Sequence, residues 1–374
     1  MNMFFRIICF LVALLVALPA YAANRYWVGG TGTWNNTLTT HWSTSSGGSS
    51  GASPPGSSDA AIFDSNSGPG GTQVTINQTG GVSVASINTS GFVGGVGGAG
   101  STGAITVSGN ADLSGAQSFG SSTITLTGTG SQTLTGGGNW GGNIIQNGAG
   151  GTYAIQENFA SGFGNKYTLT AGTFSANNFN IAGITEFIST GNATRAITMG
   201  SGTWTFTGTG TVWNVSGTGI TINGNTSTII LTGQSGDATF TGGGNTYNNI
   251  TFSLTAGSNF TLTGANTFAT MAKSGAAKAI TLKFPANVTT TVTTFSISGT
   301  SGNVISLVSS SPGNQATLSQ ASGTVNSNYL NITDSAATGG ATWNAGAAST
   351  DGGNNTGWIF ANLAAPIFFN LAFP

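Results

Sequence analysis

The sequence has one cysteine, one histidine and very few charged side chains. Its 374 residues include 7 Lys and Arg and 8 Asp and Glu, so that 4% are charged, whereas a typical soluble domain has about 25%. Such a chain lacks a basic surface that could neutralise phosphates, which argues against nucleic-acid binding. Disorder is also disfavoured, because disordered chains are poor in aromatic residues and this one has 22 Phe, 8 Trp and 6 Tyr.

The N-terminal segment has the three parts of a secretory signal peptide. Arg6 gives a positive start, residues 7–18 are apolar, and Pro19-Ala20-Tyr21-Ala22 places small residues at a cleavage site. The apolar run is shorter than the roughly 20 residues of a membrane-spanning helix. Residues 1–22 therefore predict a cleavable signal rather than an anchor, with a mature chain from Ala23 that is exported to the bacterial cell surface or the extracellular space.

The only cysteine, Cys9, lies inside this predicted signal. An oxidising compartment normally favours disulfides, yet the mature chain has no thiol for a disulfide, a nucleophile or a metal site. Stability must therefore come from hydrogen bonds and packing.

From Thr72 onward, Thr or Ser alternates with an apolar residue, and the runs stop at Gly or Asn. This period of two is typical of β-strands with one buried face, and Gly and Asn supply the turns. The best helical candidate, 269–279, is interrupted by Gly275. The sequence thus predicts an all-β protein.

The spacing of the strands is irregular, which favours a parallel β-solenoid because its coils tolerate loops of different length. We predict a right-handed solenoid (β-helix) with coils of roughly 20 to 25 residues, about ten to thirteen of them between Thr72 and Asp334. Chains of antiparallel sandwiches are the main alternative. The predicted inward side chains include Ile76, Val84, Ile87, Ile105, Val107, Ile124 and Leu126.

Two Trp-containing segments are predicted to cap the solenoid. Residues 23–70, which contain Trp27, Trp34 and Trp42, would form a Gly-rich N-terminal cap before a solenoid at 71–335. Residues 336–360, with Trp343 and Trp358, would form the last coil and the C-terminal cap. The uncharged apolar tail, 361–374, would either fold over the last coil or dock to a partner, to another copy or to the outer membrane.

Both ends of the chain resemble a known group of proteins. Arg25-Tyr26-Trp27-Val28-Gly29-Gly30, His41-Trp42-Ser43, Asp59-Ala60-Ala61-Ile62-Phe63-Asp64 and the closing 351–360 are similar to exported bacterial and bacteriophage β-solenoid surface proteins, including those with autotransporter-associated β-strand repeats. The resemblance covers about 50 residues and implies a surface location and a solenoid fold, without an activity. Unlike autotransporters proper, the sequence shows no C-terminal translocator barrel of roughly 12 strands.

No catalytic, cofactor-binding or metal-binding residues are predicted. The only histidine, His41, has no nucleophile motif beside it, so a packing role next to Trp42 is favoured. Many solenoid enzymes cleave polysaccharides with two carboxylates, and Glu157 and Glu186, 29 positions apart, could lie on adjacent coils. The other acidic residues are Asp59, Asp64, Asp112, Asp237, Asp334 and Asp351.

Two further motifs allow both a functional and a structural interpretation. The segment Asp351-Gly352-Gly353-Asn354-Asn355 faintly resembles a calcium loop, but one carboxylate is too few, so a turn is favoured. Trp140, Trp204 and Trp213 could form a platform on which sugars stack. The alternation of Trp204 with Phe206 fits an inward core position equally well.

These observations predict a secreted or cell-surface, non-enzymatic solenoid that acts as a structural or adhesive protein. The alternatives are a glycan-binding or glycan-cleaving solenoid, such as a phage-type receptor-binding spike, and a filament subunit whose ends stack. Surface glycans or envelope components are the expected partners, with self-association through the tail as another possibility, and no cofactor is expected.

Overall fold

The computed structural model describes residues 22–361, except 99, 117–119, 121, 137–141, 160–165, 183, 234–235 and 255–258. The predicted signal up to Tyr21 and the apolar tail from residue 362 lie outside the described residues. The fold is all-β, and the described residues contain no helix. This confirms the predicted fold class.

The described residues form 35 mostly short strands. The first part of the chain contains β1 Asn24–Trp27, β2 Gly32–Trp34, β3 Trp42–Ser43, β4 Ala60–Ile62, β5 Gln73–Ile76, β6 Val82–Val84, β7 Ser86–Asn88, β8 Gly95–Val96, β9 Ile105–Val107, β10 Ala111–Asp112, β11 Ile124–Leu126 and β12 Ser131–Thr135. The middle contains β13 Ile144–Ile155, β14 Lys166–Ser175, β15 Ile181–Ala182, β16 Glu186–Ile188, β17 Arg195–Thr198, β18 Thr203–Phe206, β19 Gly210–Asn214, β20 Ile220–Asn223, β21 Thr228–Leu231, β22 Ala238–Thr241, β23 Thr246–Leu254 and β24 Asn259–Thr263. The last part contains β25 Thr267–Gly275, β26 Ile280–Phe284, β27 Thr289–Ser296, β28 Ile305–Ser309, β29 Ala316–Gln320, β30 Thr324–Asn326, β31 Leu330–Thr333, β32 Ser335–Thr338, β33 Thr342–Asn344, β34 Thr350–Asp351 and β35 Trp358–Ile359.

The strands stack from coil to coil in three long ladders. Ladder one runs from β1 through β4, β7, β10, β12 and the second halves of β13 and β14 to β17 and β20. Ladder two runs from β6 through β9, β11 and the first halves of β13 and β14 to β34. Ladder three runs from β15 to β32. Two short ladders, β2-β5-β8 and β30-β33-β35, lie near the ends of the chain.

The coils have unequal lengths, as the irregular spacing of the sequence predicts. In ladder two, Ile105 pairs with Ile124, 19 positions on, and Gly210 pairs with Ala238, 28 positions on. The coil lengths in this ladder therefore vary more widely than the predicted 20 to 25 residues. About 12 turns result. All strand pairs between described residues are parallel except β1 with β3 and a bridge between Thr300 and Asn303, so the antiparallel sandwich alternative is wrong.

The core is one column of apolar side chains inside the coils. Every inward residue named from the sequence, from Ile76 to Leu126, is buried. In ladder two, four aromatic residues occupy one register on successive coils: Tyr167, Phe187, Trp213 and Phe240. Their ring centroids are 5.3, 5.2 and 5.9 Å apart and nearly parallel. Parallel stacking follows from the parallel strands, because each side chain leaves the backbone in the same direction as the one before.

Corner residues connect the coils by hydrogen bonds along the axis. The Oδ1 atom of Asn180 accepts from the Thr203 backbone N–H at 2.8 Å, and Asn158 does the same for Asn180 at 2.8 Å. The Asn residues that the sequence places at turns therefore also join one coil to the next. Glycine is required where backbones meet, since a Cβ on Gly148 would lie 1.9 Å from the Gly128 carbonyl oxygen.

Short strands complete the solenoid at its two ends. Strand β3 pairs antiparallel with β1, on the opposite edge from β4, and so covers an edge that would otherwise be open. Trp27, Trp34 and Trp42 are buried there. At the other end, Trp343 and Trp358 are ladder partners with centroids 5.0 Å apart.

The best helical candidate of the sequence forms a strand. Residues 269–275 belong to β25, which pairs with β23 on one side and β27 on the other. Two parallel neighbours supply its backbone hydrogen bonds, so tertiary pairing overrides the helix-forming Ala and Met residues.

Candidate functional site

The two acidic residues singled out from the sequence are not stacked on each other. Glu186 begins β16 in ladder two, where its direct partner is Lys166, and the two form an ion pair at 3.5 Å. Glu157 follows the second half of β13 in ladder one. The sequence allows the two residues to lie on adjacent coils, but they follow different ladders and do not form a stacked pair.

The environment of Glu157 combines burial with a second carboxylate, Asp112. Ala111, Leu134 and Ile155 are stacked partners, so that Asp112 lies two coils from the residue before Glu157, or roughly 9 to 10 Å at the usual spacing of strands. Burial raises the pKa of Glu157, and the charge of Asp112 raises it further. The Oε1 atom of Glu157 is buried and has no hydrogen-bond partner among the described residues.

The other carboxylates hold turns or join neighbouring coils. Asp112 accepts from the N–H and hydroxyl of Ser114 at 3.0 and 2.6 Å. Asp237 accepts from the backbone and side-chain amides of Asn259, which lower its pKa. Asp59, Asp64, Asp334 and Asp351 accept backbone N–H groups in the same way. These carboxylates have a structural task, as Asp side chains commonly do at turns.

The calcium-like segment is such a turn. Asp351 Oδ1 accepts from the Gly353 N–H at 3.0 Å and from the Asn355 amide at 2.6 Å. Asn354 donates to Asp334 at 2.6 Å, and this bond lowers the pKa of Asp334. Within the described part of the chain, no three His, Cys, Asp or Glu side chains lie close enough together to hold a metal ion.

His41 packs flat against a tryptophan. Its ring lies 4.7 Å from that of Trp27 at an interplanar angle of 7°, and its Nδ1–H donates to the Val28 carbonyl at 2.9 Å. A Cβ on Gly32 would lie 2.2 Å from Nε2, so a glycine is needed beneath the ring. The packing role is confirmed, with Trp27 rather than Trp42 as the stacking partner.

The proposed sugar platform is part of the core. Trp204 and Trp213 are fully buried and touch edge to face at 5.7 Å, while Trp140 lies outside the described residues. Of the two interpretations of the Trp204–Phe206 alternation, the inward core position is therefore correct, and these two rings offer no face to a sugar.

One buried charge was missed by sequence reasoning. Arg195 is 1% exposed, and its guanidinium donates to the carbonyls of Gly191, Ala193 and Thr218. Burial lowers the pKa of Arg195, and its Nη1 atom is buried without a partner among the described residues. The alternation of the sequence could have predicted this burial, because Arg195 has the same inward register as Ile197, two residues further on.

The outer faces carry rows of small polar side chains. Thr203, Thr228, Asn249, Thr270 and Thr294 are consecutive partners along ladder three. Thr211, Thr239 and Thr261 form a similar row on ladder two. These faces present hydroxyl and amide groups at regular intervals, with few charges among them.

The fold and these faces define the class: a charge-poor parallel β-solenoid with Thr- and Asn-lined outer faces. No family model matches the chain, and no curated protein or solved structure matches it. The described residues include no helix of the length and apolar character that crossing a bilayer requires.

Proposed function

We propose that the protein is an exported, non-enzymatic solenoid that acts as a structural or adhesive element at a bacterial cell surface. The observation that carries this is the use of its acidic side chains. Seven of the eight hold turns, join coils or pair with Lys166, and the remaining one is Glu157. What the solenoid offers outward is a regular, neutral, hydrogen-bonding surface, which suits multivalent contact better than chemistry on a substrate.

The signal-like N-terminus and the resemblance of both ends to exported solenoids support the location. Expression of the full chain in a bacterium, followed by protease treatment of intact cells, tests it. We expect a mature N-terminus at Ala23 and digestion of the protein from outside. Cells that display it should adhere more strongly to other cells or to abiotic surfaces than cells without it. Retention in the cytoplasm with an intact leader contradicts the proposal.

A glycan-cleaving solenoid is the second candidate, favoured by one observation. A carboxyl group with a raised pKa near a second carboxylate is the arrangement of a glycosidase acid and its partner, and Glu157 lies near Asp112 in this way. Incubation with a panel of polysaccharides, using wild type, E157Q and the control E186Q, tests it. Release of sugars that E157Q abolishes and E186Q retains supports cleavage, whereas no release by the wild type contradicts it.

A further inference from the structure

Ladder one ends inside the molecule, at β20. Ile222 has the same inward register as Ile197 on the preceding coil. Ile197 is fully buried, but Ile222 is only partly buried, because no strand of the described residues pairs with the other edge of β20. The surface of the solenoid is therefore lower after β20. At this step the apolar side chain of Ile222, which has an inward register, is partly exposed.

A groove of about 300 Å³ begins at this step and runs along the solenoid axis. Its lining comes from four successive coils and includes Ile222, Asn225, Thr246, Thr267, Ala269 and Thr293. We call it the step groove. Its volume lies at the lower end of the range for small-molecule sites, about 300–1,000 Å³.

The polar groups of the step groove are available to a ligand. Within the described residues, the hydroxyls of Thr246, Thr267 and Thr293 form no hydrogen bond. Asn225 uses its carbonyl oxygen for the Gly200 N–H, which leaves its NH₂ group free. Asn248, which also lines the groove, uses its NH₂ group for the Ser227 carbonyl, which leaves its carbonyl oxygen free. The site thus offers both donors and acceptors.

No charged side chain lines the groove, so it has no means of holding a phosphate or a carboxylate through charge. Hydroxyls and amides beside an apolar wall match a neutral sugar, which combines hydroxyl groups with apolar C–H faces. Thr246 and Thr267 are direct ladder partners, so their hydroxyl groups repeat at about 4.8 Å along the axis. On the next coil the ladder partner of Thr267 is Thr291, and Thr293 lies two residues further along the same strand. A linear polymer aligned with the axis would therefore meet a hydroxyl group from each of these three strands, with the third displaced along its strand.

We propose that the step groove binds a segment of a neutral glycan, one or two sugar units long, with its apolar face against Ile222 and Ala269. Thr246, Thr267 and Thr293 would bond its hydroxyls. The inference rests on the proposed adhesive function, for which it names the ligand class. It does not involve Glu157 or Asp112.

The test uses the full mature protein and a panel of neutral oligosaccharides, first on an array and then by calorimetric titration. A269W fills the step groove. A272W is the matched control, because Ala272 lies on the same strand, is also partly buried and does not line the groove. We expect A272W to bind like the wild type and A269W to lose binding, with both unfolding at the wild-type midpoint. T246V and T267V keep the shape and should each weaken binding about five-fold.

If the wild type binds no neutral oligosaccharide, or if A269W and the Thr variants bind as the wild type does, the proposal is wrong. If A269W excludes an uncharged peptide and no oligosaccharide binds, the occupant is a peptide and the proposal is overturned. Adhesion of cells that display A269W is measured in parallel. If A269W loses glycan binding but the cells still adhere, the adhesive function is retained and another face of the solenoid is responsible for it. A failure of the step-groove proposal can thus be distinguished from a failure of the proposed adhesive function.

Discussion

The aromatic column at the centre of the solenoid allows a sharp test of what holds the coils together. Trp213 is fully buried between Phe187 and Phe240, with centroid distances of 5.2 and 5.9 Å. Its Nε1–H donates to the Tyr247 hydroxyl at 3.1 Å, and that hydroxyl donates to the Gly242 carbonyl at 2.8 Å. Trp213 therefore joins three successive coils through stacking and adds a buried hydrogen bond.

We expect W213A to lower the free energy of unfolding by about 3–5 kcal/mol, the usual loss for a buried Trp or Phe reduced to Ala. The upper end is expected, because each aromatic contact adds about 0.5–1.5 kcal/mol beyond its buried area. W213F keeps the stack but loses the hydrogen bond of Nε1, which is worth about 1 kcal/mol. Its loss should be about 1–2 kcal/mol.

Chemical denaturation followed by far-UV circular dichroism measures these losses, and W343A is the control. Trp343 is also buried and also donates through Nε1, to Thr338 at 3.0 Å, but it lies near the end of the solenoid. Since each coil is stabilised by its neighbours, W213A should shift the main transition, whereas W343A should loosen only the last coils. Equal losses for W213F and W213A would refute the role of stacking, and an unchanged main transition in W213A would refute the role of the column.

Three further predictions concern single polar contacts. E157Q should raise the unfolding midpoint at pH 7 and leave it unchanged near pH 4. Burial raises the pKa of Glu157, so the energetic cost of its charge is present at pH 7 and disappears below the unfolded pKa of about 4.3. A larger gain at pH 4 than at pH 7 would contradict this. N180A should cost about 1 kcal/mol by removing the acceptor for Thr203 N–H, whereas N180D, which keeps an acceptor, should cost less in the same denaturation assay. Asp59 accepts from the Ala23 backbone nitrogen at 2.9 Å, so cleavage after Ala22 would place an ammonium group there. D59N should then destabilise a chain that begins at Ala23 by about 1 kcal/mol and a chain with extra preceding residues by less, and equal effects would contradict the ion pair.

The inward positions could be predicted from sequence because a period of two leaves little freedom. In a strand that is buried on one face, a slip by one residue would expose every apolar side chain. Ile105 and Val107, or Ile124 and Leu126, therefore define the inward face by themselves. Parallel stacking then repeats this face on each coil, which is why the core of the described residues follows from local pattern.

Which residues meet across coils could not be predicted, because register depends on every intervening loop. Glu157 and Glu186 are 29 positions apart, which suggested neighbouring coils, yet they lie on different ladders. Asp112 and Glu157 are 45 positions apart, close to two coils, and the charge of Asp112 acts on Glu157. Even within ladder two, partners on successive coils are between 19 and 28 positions apart, so the distance along the sequence does not show which residues pair.

The end of ladder one at β20 could not be predicted from the sequence either. The alternation in Thr246–Leu254 is of the same kind as that in earlier strands, but β23 pairs with β21 in ladder three and leaves β20 without a successor among the described strands. The step groove arises from this choice of partner, so no local motif marks it. Only the partial burial of Ile222, an apolar residue in an inward register, shows where the ladder stops.

The scarcity of charge has a structural cause that also limits the kind of ligand. Outward side chains of successive coils lie about 4.8 Å apart, so a charge repeated from coil to coil would repel its own copies. The one ion pair between described residues fits this rule, because Lys166 and Glu186 are direct ladder partners of opposite charge. Lys283 also fits it, because its ladder partner on the preceding coil is the neutral Thr261. A surface built under this constraint attracts ligands through short-range hydrogen bonds rather than through a long-range field. Binding of a neutral glycan should therefore be nearly independent of ionic strength between 50 mM and 500 mM salt, whereas a steep loss of affinity with salt would reveal an anionic ligand.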